Sequence, residues 1–457
     1  MPSSRVLVQL STATASVPQE TFNDVIVFAR ASSSPPGDID YNQKKTYRRP
    51  SDVAADVGDG SDAHVASQAL DAMGVAEWSV IVVEATETTE VIGDSDTSSV
   101  SSGSVQNTPM AGHVTAQVSI DGTDLDTVTA VTDSPPDADA TPESTEAFVN
   151  YDTGEVVTGE TSSGTGTGIE VTYTHLDWTS AFAQLNPTEL DLATLADVRA
   201  DAKYVGDLDE VVQWGSGDYV HTTAASVNFA DYATESEALT AAQDVAAYVQ
   251  SGDFSVTAHK SDDDVAAFVA GLYATKKVWA DPSYHATGFP GLNTQGWTNP
   301  ANIVGDPETT GTIEGGKSDA GLEHAGAMNA LDFADGSLVL SNDLTTLGHG
   351  SSYKYLDIRR TEGLVVTEAR RALISLLKRE RIPFNATGQQ MIDNALGSAL
   401  REYEYDLGPY SDLDVQVPAA ETLDASDRAN RIWGVIPVSY RVNGDVHRFS
   451  LDIRTTA

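Results

Sequence analysis

The chain has 457 residues, 40% of them hydrophobic and 7% aromatic, which is enough apolar material for large cores in two to four domains and excludes a disordered polymer. Its 68 acidic residues against 26 basic ones give a formal charge of -42, which sets most of the surface against nucleic acid and anionic membranes, where each phosphate contact needs Lys or Arg. No stretch approaches the roughly eighteen apolar residues of a membrane span, and the absence of cysteine excludes disulfides and thiolate metal sites. Only nine of the cations are Lys, and such carboxylate density fits a salt-saturated environment, where charge repulsion is screened over roughly 3 Å at 1 M salt.

The opening RVLVQLS alternates Val6, Val8 and Leu10 on one side and reads as an arm strand within residues 1–20. With one cation and a short apolar run it is weaker than a secretory signal, so the protein is expected to start in a cytoplasm. DVIVFA reads as a buried strand, HVASQALDAMG as a helix ending at Gly74, and VAEWSVIVVEA as another buried strand. From 91 to 177 the texture turns to Ser, Thr, Gly and Asp, with strand-like HVTAQVSI and GIEVTYTHL, which predicts an all-β domain inserted into a discontinuous α/β domain of residues 21–90 and 178–290.

Beyond it ATLADVRADAKYV, ESEALTAAQDVAAYVQ and SDDDVAAFVAGLYATKKVW read as helices, the last capped by Ser261 or Asp262, while YVHTTAASVNF and DFSVTAH read as strands. Residues 291–330 are rich in Pro, Gly, Asn and Thr and read as an interdomain loop. Residues 331–457 form the expected C-terminal core domain. It holds strand-like SLVLSN and YKYLDIRR, a basic helix, a second helix around GQQMIDNALGSALREYEY, and a closing hairpin or arm at 433–457. Asn443-Gly444 is a two-residue turn signal, and pairing across it sets Tyr440 against His447, Val438 against Phe449 and Ile436 against Leu451. The fold class is therefore α/β mixed with α+β, multidomain, with α/β cores, an inserted all-β domain and terminal strand arms.

Few residues offer catalytic chemistry. GTIEGGKS at 311–318 satisfies the P-loop pattern, yet no buried strand precedes it and no helix begins at the lysine, so it reads as a glycine loop. The nine histidines lack metal-ligand spacing, and no GxSxG elbow occurs. Asn385-Ala386-Thr387 is a glycosylation sequon. No enzymatic activity, cofactor or metal is expected.

The informative feature is charge placement. Residues 359–457 hold 13 Lys or Arg and 14 Asp or Glu, whereas the rest of the chain holds 13 and 54. Seven cations, Arg359, Arg360, Arg370, Arg371, Lys378, Arg379 and Arg381, crowd into positions 359–381, the end of YKYLDIRR and the basic helix after it, whose apolar stripe reads as Val366, Ala369, Leu373, Leu376 and Leu377. A basic face retained on an acidic chain points to an acidic protein partner. The alternating ends of the chain suit strand exchange with a neighbour, and heterologous contacts of that kind build rings or helical assemblies.

Taken in order, VLVQLSTATASVPQETFNDVIVFA, the strand-helix-strand after it, GLYATKKVWADPSY, and YKYLDIRRTEGLVVTEARRALISLL with its Asp-x-Arg-Arg element resemble the contractile-tail sheath family of phages, archaeal viruses and contractile injection systems. The insert at 91–177 and the continuation KRERIPF depart from that family's pattern. The resemblance implies a structural subunit that assembles in hexameric rings or a helical lattice around an inner tail tube protein. It implies baseplate and tail terminator proteins as further partners, and no nucleic acid or direct membrane insertion. Contraction would drive the tube through a target envelope without nucleotide. The seven cations would face the tube, and Val6, Val8, Leu10, Ile436, Val438, Tyr440, Phe449 and Leu451 would belong to intersubunit strand arms. The particle would be a virion tail assembled in host cytoplasm, or a cytoplasmic contractile injection particle. The alternative reading is a halophilic virion or cell-surface structural protein or adhesin, suggested by the Thr- and Gly-rich insert.

Overall fold

The computed structural model describes residues 24–30, 37–92, 102–131 apart from His113, 142–159, 168–185, 192–199, 202–216, 222–259, 264–275, 327–332, 338–340, 343–347, 351, 354–379, 381–404, 408–430 and 432–443. Val6, Val8, Leu10, Phe449, Leu451, the P-loop-like 311–318 and the predicted caps Ser261 and Asp262 lie outside the described residues.

The chain opens with β1 (Val25–Arg30), β2 (Lys44–Tyr47), α1 (Pro50–Val57), α2 (Asp62–Ala72) and β3 (Trp78–Val83). β1 and β3 are nearly continuous apolar runs because helices cover both faces of their sheet, leaving no solvent side to alternate toward. Ser61 caps α2 by accepting a bond from the His64 amide, and Gly74, at φ +82°, takes the left-handed turn that ends it.

Eight strands follow: β4 (Ala85–Ile92), β5 (Ser102–Ser104), β6 (Gln117–Ile120), β7 (Thr123–Asp124), β8 (Thr127–Val131), β9 (Glu146–Asn150), β10 (Glu155–Thr158) and β11 (Ile169–Leu176). They form two four-stranded sheets, ordered β5-β10-β9-β8 and β4-β11-β6-β7. The sheets share a core in which Val118, Val149, Val156, Val171 and Tyr173 alternate with outward polar residues.

The α/β alternation then resumes with α3 (Trp178–Ala183), β12 (Leu192–Arg199), α4 (Val205–Ser216), β13 (Thr222–Asn228), α5 (Glu235–Tyr248), β14 (Phe254–His259), α6 (Val265–Thr275), β15 (Ala327–Asp332) and β16 (Leu338–Leu340). The central sheet has the order β16-β15-β14-β13-β12-β1-β3-β2, parallel through its six inner strands with antiparallel edges. Residues of α1, α2 and α6 share the core on one face, and those of α3, α4 and α5 share the core on the other. α5 begins with a reciprocal capping box between Thr234 and Glu237. α6 is buried from Val265 to Ala274, which explains its apolar residues on every side, and its cap is Asp264, whose carboxylate accepts the Ala267 amide.

Two predicted elements are corrected here. ATLADVRADAKYV reads as a helix, but Leu192 to Leu195 lie between β1 and β13 as a central strand; the alanines carry no strong β preference, and tertiary pairing overrides the local pattern. α4, starting only at Val205, takes the helical role just downstream. YKYLDIRR reads as a strand, but among its described residues only Tyr355 makes a strand-like bridge, to Leu344, and helix begins at Leu356.

The C-terminal part comprises α7 (Leu356–Arg379), α8 (Ala386–Arg401), β17 (Tyr410–Val415), the short α9 (Ala425–Ala429) and β18 (Val438–Val442). Its core holds Val365, Ala369, Ile392, Leu396, Leu400, Tyr410 and Val438. α7, about 36 Å long at 1.5 Å per residue, begins in the sheet's core through Leu356 and ends in this one. The predicted stripe is shifted, with Val365 rather than Val366 fully buried and Leu377 56% exposed.

Candidate interaction surface

α7 starts where it does because Asp343 organises its first turn. The Asp343 carbonyl accepts the Leu356 amide at 2.8 Å and its carboxylate accepts the Asp357 amide at 3.1 Å. The helix then carries its cations past three different environments.

In the first turns the cations hold the helix to its own chain. Arg359 makes a two-pronged contact with Asp253, Nε to Oδ1 at 2.7 Å and Nη2 to Oδ2 at 2.9 Å, and its Nη1 reaches Glu362 at 2.6 Å. Burial opposes the Arg359 charge, but these two carboxylates outweigh it and raise its pKa further. Arg360 is buried, donates both terminal nitrogens to the Tyr273 carbonyl at 3.4 Å and lies 5.4 Å from the centre of the Tyr273 ring. One helix turn of two adjacent arginines thus grips β14's entrance and α6's end.

Midway, Arg370 is buried and Arg371 pairs with Glu368 at 2.7 Å. Burial raises the Glu368 pKa, and Arg371 works against that shift. These placements correct the expectation of seven outward cations: Arg359, Arg360 and Arg370 are committed inside the chain.

The last turn is different. Lys378, Arg379 and Arg381 are exposed and make no ion pair with a described residue. Beside them the chain exposes apolar side chains. Of six large hydrophobic residues exposed among the described ones, Leu377 at 56%, Phe384 at 36%, Ile432 at 51% and Val435 at 58% belong to this end. The Phe384 ring stacks on Trp433 with centroids 5.3 Å apart and planes 11° apart, which draws the segment after α7 onto the 432–435 segment. The Trp433 indole is fixed by donating to the Pro418 carbonyl at 3.2 Å. This end of the chain thus combines exposed apolar side chains with exposed cations, and the Phe384–Trp433 stack ties its two segments together, a composition that suits a protein contact.

Ile436, Val438 and Tyr440, expected in an exchanged arm, are instead packed on the C-terminal core. Val438 is buried, Tyr440 lies 5.2 Å from Tyr410 ring to ring, and β18 pairs antiparallel with β17. Their side chains and one strand edge are therefore engaged within the chain. The partner strand across Asn443-Gly444 lies outside the described residues. The aromatic stack was missed by sequence reasoning, although Phe384 directly after the basic run was a visible signal.

Among the described residues no three His, Asp or Glu side chains are grouped to hold a metal ion, and no helix is long and apolar enough to cross a membrane.

No family model matches the chain, and no curated protein matches it. Solved structures do. The chain is similar to the helical sheath of the anti-feeding prophage in its contracted state, at 11% identity and a TM-score of 0.54 over 99% of each chain. It also matches the sheath complex of an extracellular contractile injection system, PVC, in the contracted state, at 13% identity and a TM-score of 0.46 over 100% of this chain and 98% of the other. A chain of the anti-feeding prophage baseplate matches at 14% identity and a TM-score of 0.44, covering 61% of this chain and 72% of that one. The first likeness, spanning nearly both chains, shows that the fold is that of a contractile-sheath subunit.

Proposed function

We propose that this chain is the sheath subunit of a contractile tail or injection particle, a structural protein whose copies assemble helically around an inner tube and contract to drive it through a target envelope. The observation that carries this reading is the fold it shares, over almost its whole length, with a sheath solved as a contracted helix. A fold extending over both whole chains favours the same architecture of use more than a shared single domain would.

Within that reading, the part from α7 onward is the inner core domain, and 21–90 with 178–290 form the discontinuous α/β domain; the expected boundary at 331 moves downstream, because β15 and β16 pair into the central sheet of the α/β domain. Residues 91–177 are an inserted β domain on the solvent side, with 291–330 as the connecting loop. Residues 1–20, and of the expected 433–457 arm only the part beyond Asn443, supply strands that add to neighbours, since β18 is already paired with β17 in its own chain. Lys378, Arg379 and Arg381, with the outer part of Arg371, face an acidic tube, and the Phe384–Trp433 stack lies in the same contact. Baseplate and terminator proteins close the two ends of the lattice. The particle is a virion tail or a cytoplasmic injection particle.

The test is charge reversal at the exposed cations. A K378E/R379E/R381E variant should still form sheath lattices alone and should fail to assemble as extended sheath on tubes; normal extended sheaths from this variant would remove the tube contact from these residues.

A further inference from the structure

Carboxylates from two packed parts of the chain converge where strands β4 to β11 meet the central sheet. The turn after β9 lies directly on the first turn of α4: a β-carbon at Gly206 would stand 2.4 Å from Pro109 Cβ and 3.0 Å from Asp152 Cα. Across the same seam, a β-carbon at Gly112 would stand 2.4 Å from the Lys203 carbonyl oxygen. Both glycines permit an approach that no other residue allows.

The bonds across this seam centre on acids. The Gly112 amide donates to Asp207 Oδ2 at 3.3 Å, while the Trp178 indole donates to Oδ1 of the same carboxylate at 3.2 Å. The Tyr248 hydroxyl of α5 donates to Asp152 Oδ2, and Lys203 Nζ donates to Thr115 at 3.1 Å. Asp152, from the strand side, acts electrostatically on both Asp209 and Glu210 of α4. The other groups facing the cluster are Asn150 and Tyr248 beside Asp152, Gln213 donating to Asp209, and Arg30, whose charge acts on Asp207. Among these, no cation is set against Asp152, Asp209 or Glu210.

We propose that this seam is a proton-controlled joint: the β4–β11 sheets dock tightly on α4 and α5 while Asp209 or Glu210, facing Asp152 across the seam, holds a proton, and the docking loosens as both ionise. Burial first, and the facing Asp152 second, push Asp209 up to about 6. Burial followed by Asp152 raises Glu210, whereas Asp207 is not part of the switch, because the Gly112 amide donated to it across the seam favours its ionised form. Acids whose pKa is raised by docking bind more protons docked than apart. Their contribution to docking is complete below the ordinary carboxylate range and is lost as pH rises through the raised values, about 6 for Asp209. Concentrated salt screens the exposed part of the repulsion and narrows the effect.

The experiment is hydrogen exchange of the full chain in multimolar KCl from pH 5 to 8, corrected for intrinsic exchange, read on peptides covering 109–112 and 151–154. Protection there should fall by about tenfold across the step, the equivalent of one pKa unit of coupling, while a peptide from α6 shows no step. The D209N/E210Q variant should flatten the step from the α4 side. D152N should flatten it from the other, and carries the test alone if the double variant does not fold. Flat protection in the wild-type chain, a step of equal size in α6, or a step unchanged by the substitutions would overturn the proposal.

Discussion

The guanidinium of Arg359 holds the carboxylate of Asp253, 106 residues earlier, through two parallel bonds of 2.7 and 2.9 Å, fastening the start of α7 to the entrance of β14. Asp253 is 2% exposed and its backbone carbonyl also accepts the Thr223 amide from the neighbouring strand, so a single residue ties the long helix to two strands of the central sheet. In a sheath that changes shape, force on the C-terminal part would reach the sheet through this joint.

Removing Arg359 leaves the Asp253 carboxyl buried and without the two bonds that hold it. R359A should cost about 3 kcal/mol in chemical denaturation, the low end for a broken buried pair because the arginine is partly exposed. R359A/D253A should cost clearly less than the two single changes together. Strict additivity would show that the pair does not act as a clamp.

Two glycines of α8 should respond in opposite directions to the same substitution. A β-carbon at Gly388 would lie 1.8 Å from the Pro383 carbonyl oxygen, so G388A must displace the backbone that leads from α7 and should destabilise by about 1–3 kcal/mol. Gly397 has nothing within 4 Å of that position, so G397A should stabilise by about 0.5–1 kcal/mol through helix propensity. Thermal melts of both variants check the contrast.

The exposed apolar side chains should matter to assembly and little to folding. Ile432 and Val435 are more than half exposed, so I432D/V435D should keep the melting behaviour of the parent chain to within about 0.5 kcal/mol. The same variant should lose extended sheath on tubes, even in salt concentrated enough to screen the exposed cations. Retained assembly in concentrated salt would leave these side chains without a role in the contact.

Sequence was most informative where local pattern and tertiary role agree. β1 and β3 are legible as short apolar runs, α2 by its terminal Gly74, and α5 by its helical spacing, and each takes the form its residues favour. β12 was not legible, because an Ala- and Leu-containing stretch fits either period and only its neighbours β1 and β13 decide. The start of α7 was misread because its two arginines face Asp253 and Tyr273, partners about a hundred residues away in sequence that no local pattern displays. Likewise the cations could be counted from the sequence but not sorted: three are buried or clamped, and burial is set by the packing of α6, α8 and β14 around the helix.

The measurement that bears most directly on the sheath assignment is negative-stain electron microscopy of the purified chain in multimolar KCl. Striated hollow tubes, formed by the chain alone, are the predicted result. Monodisperse particles at every concentration and salt tested, which also fail to coat an added inner tube, would contradict it.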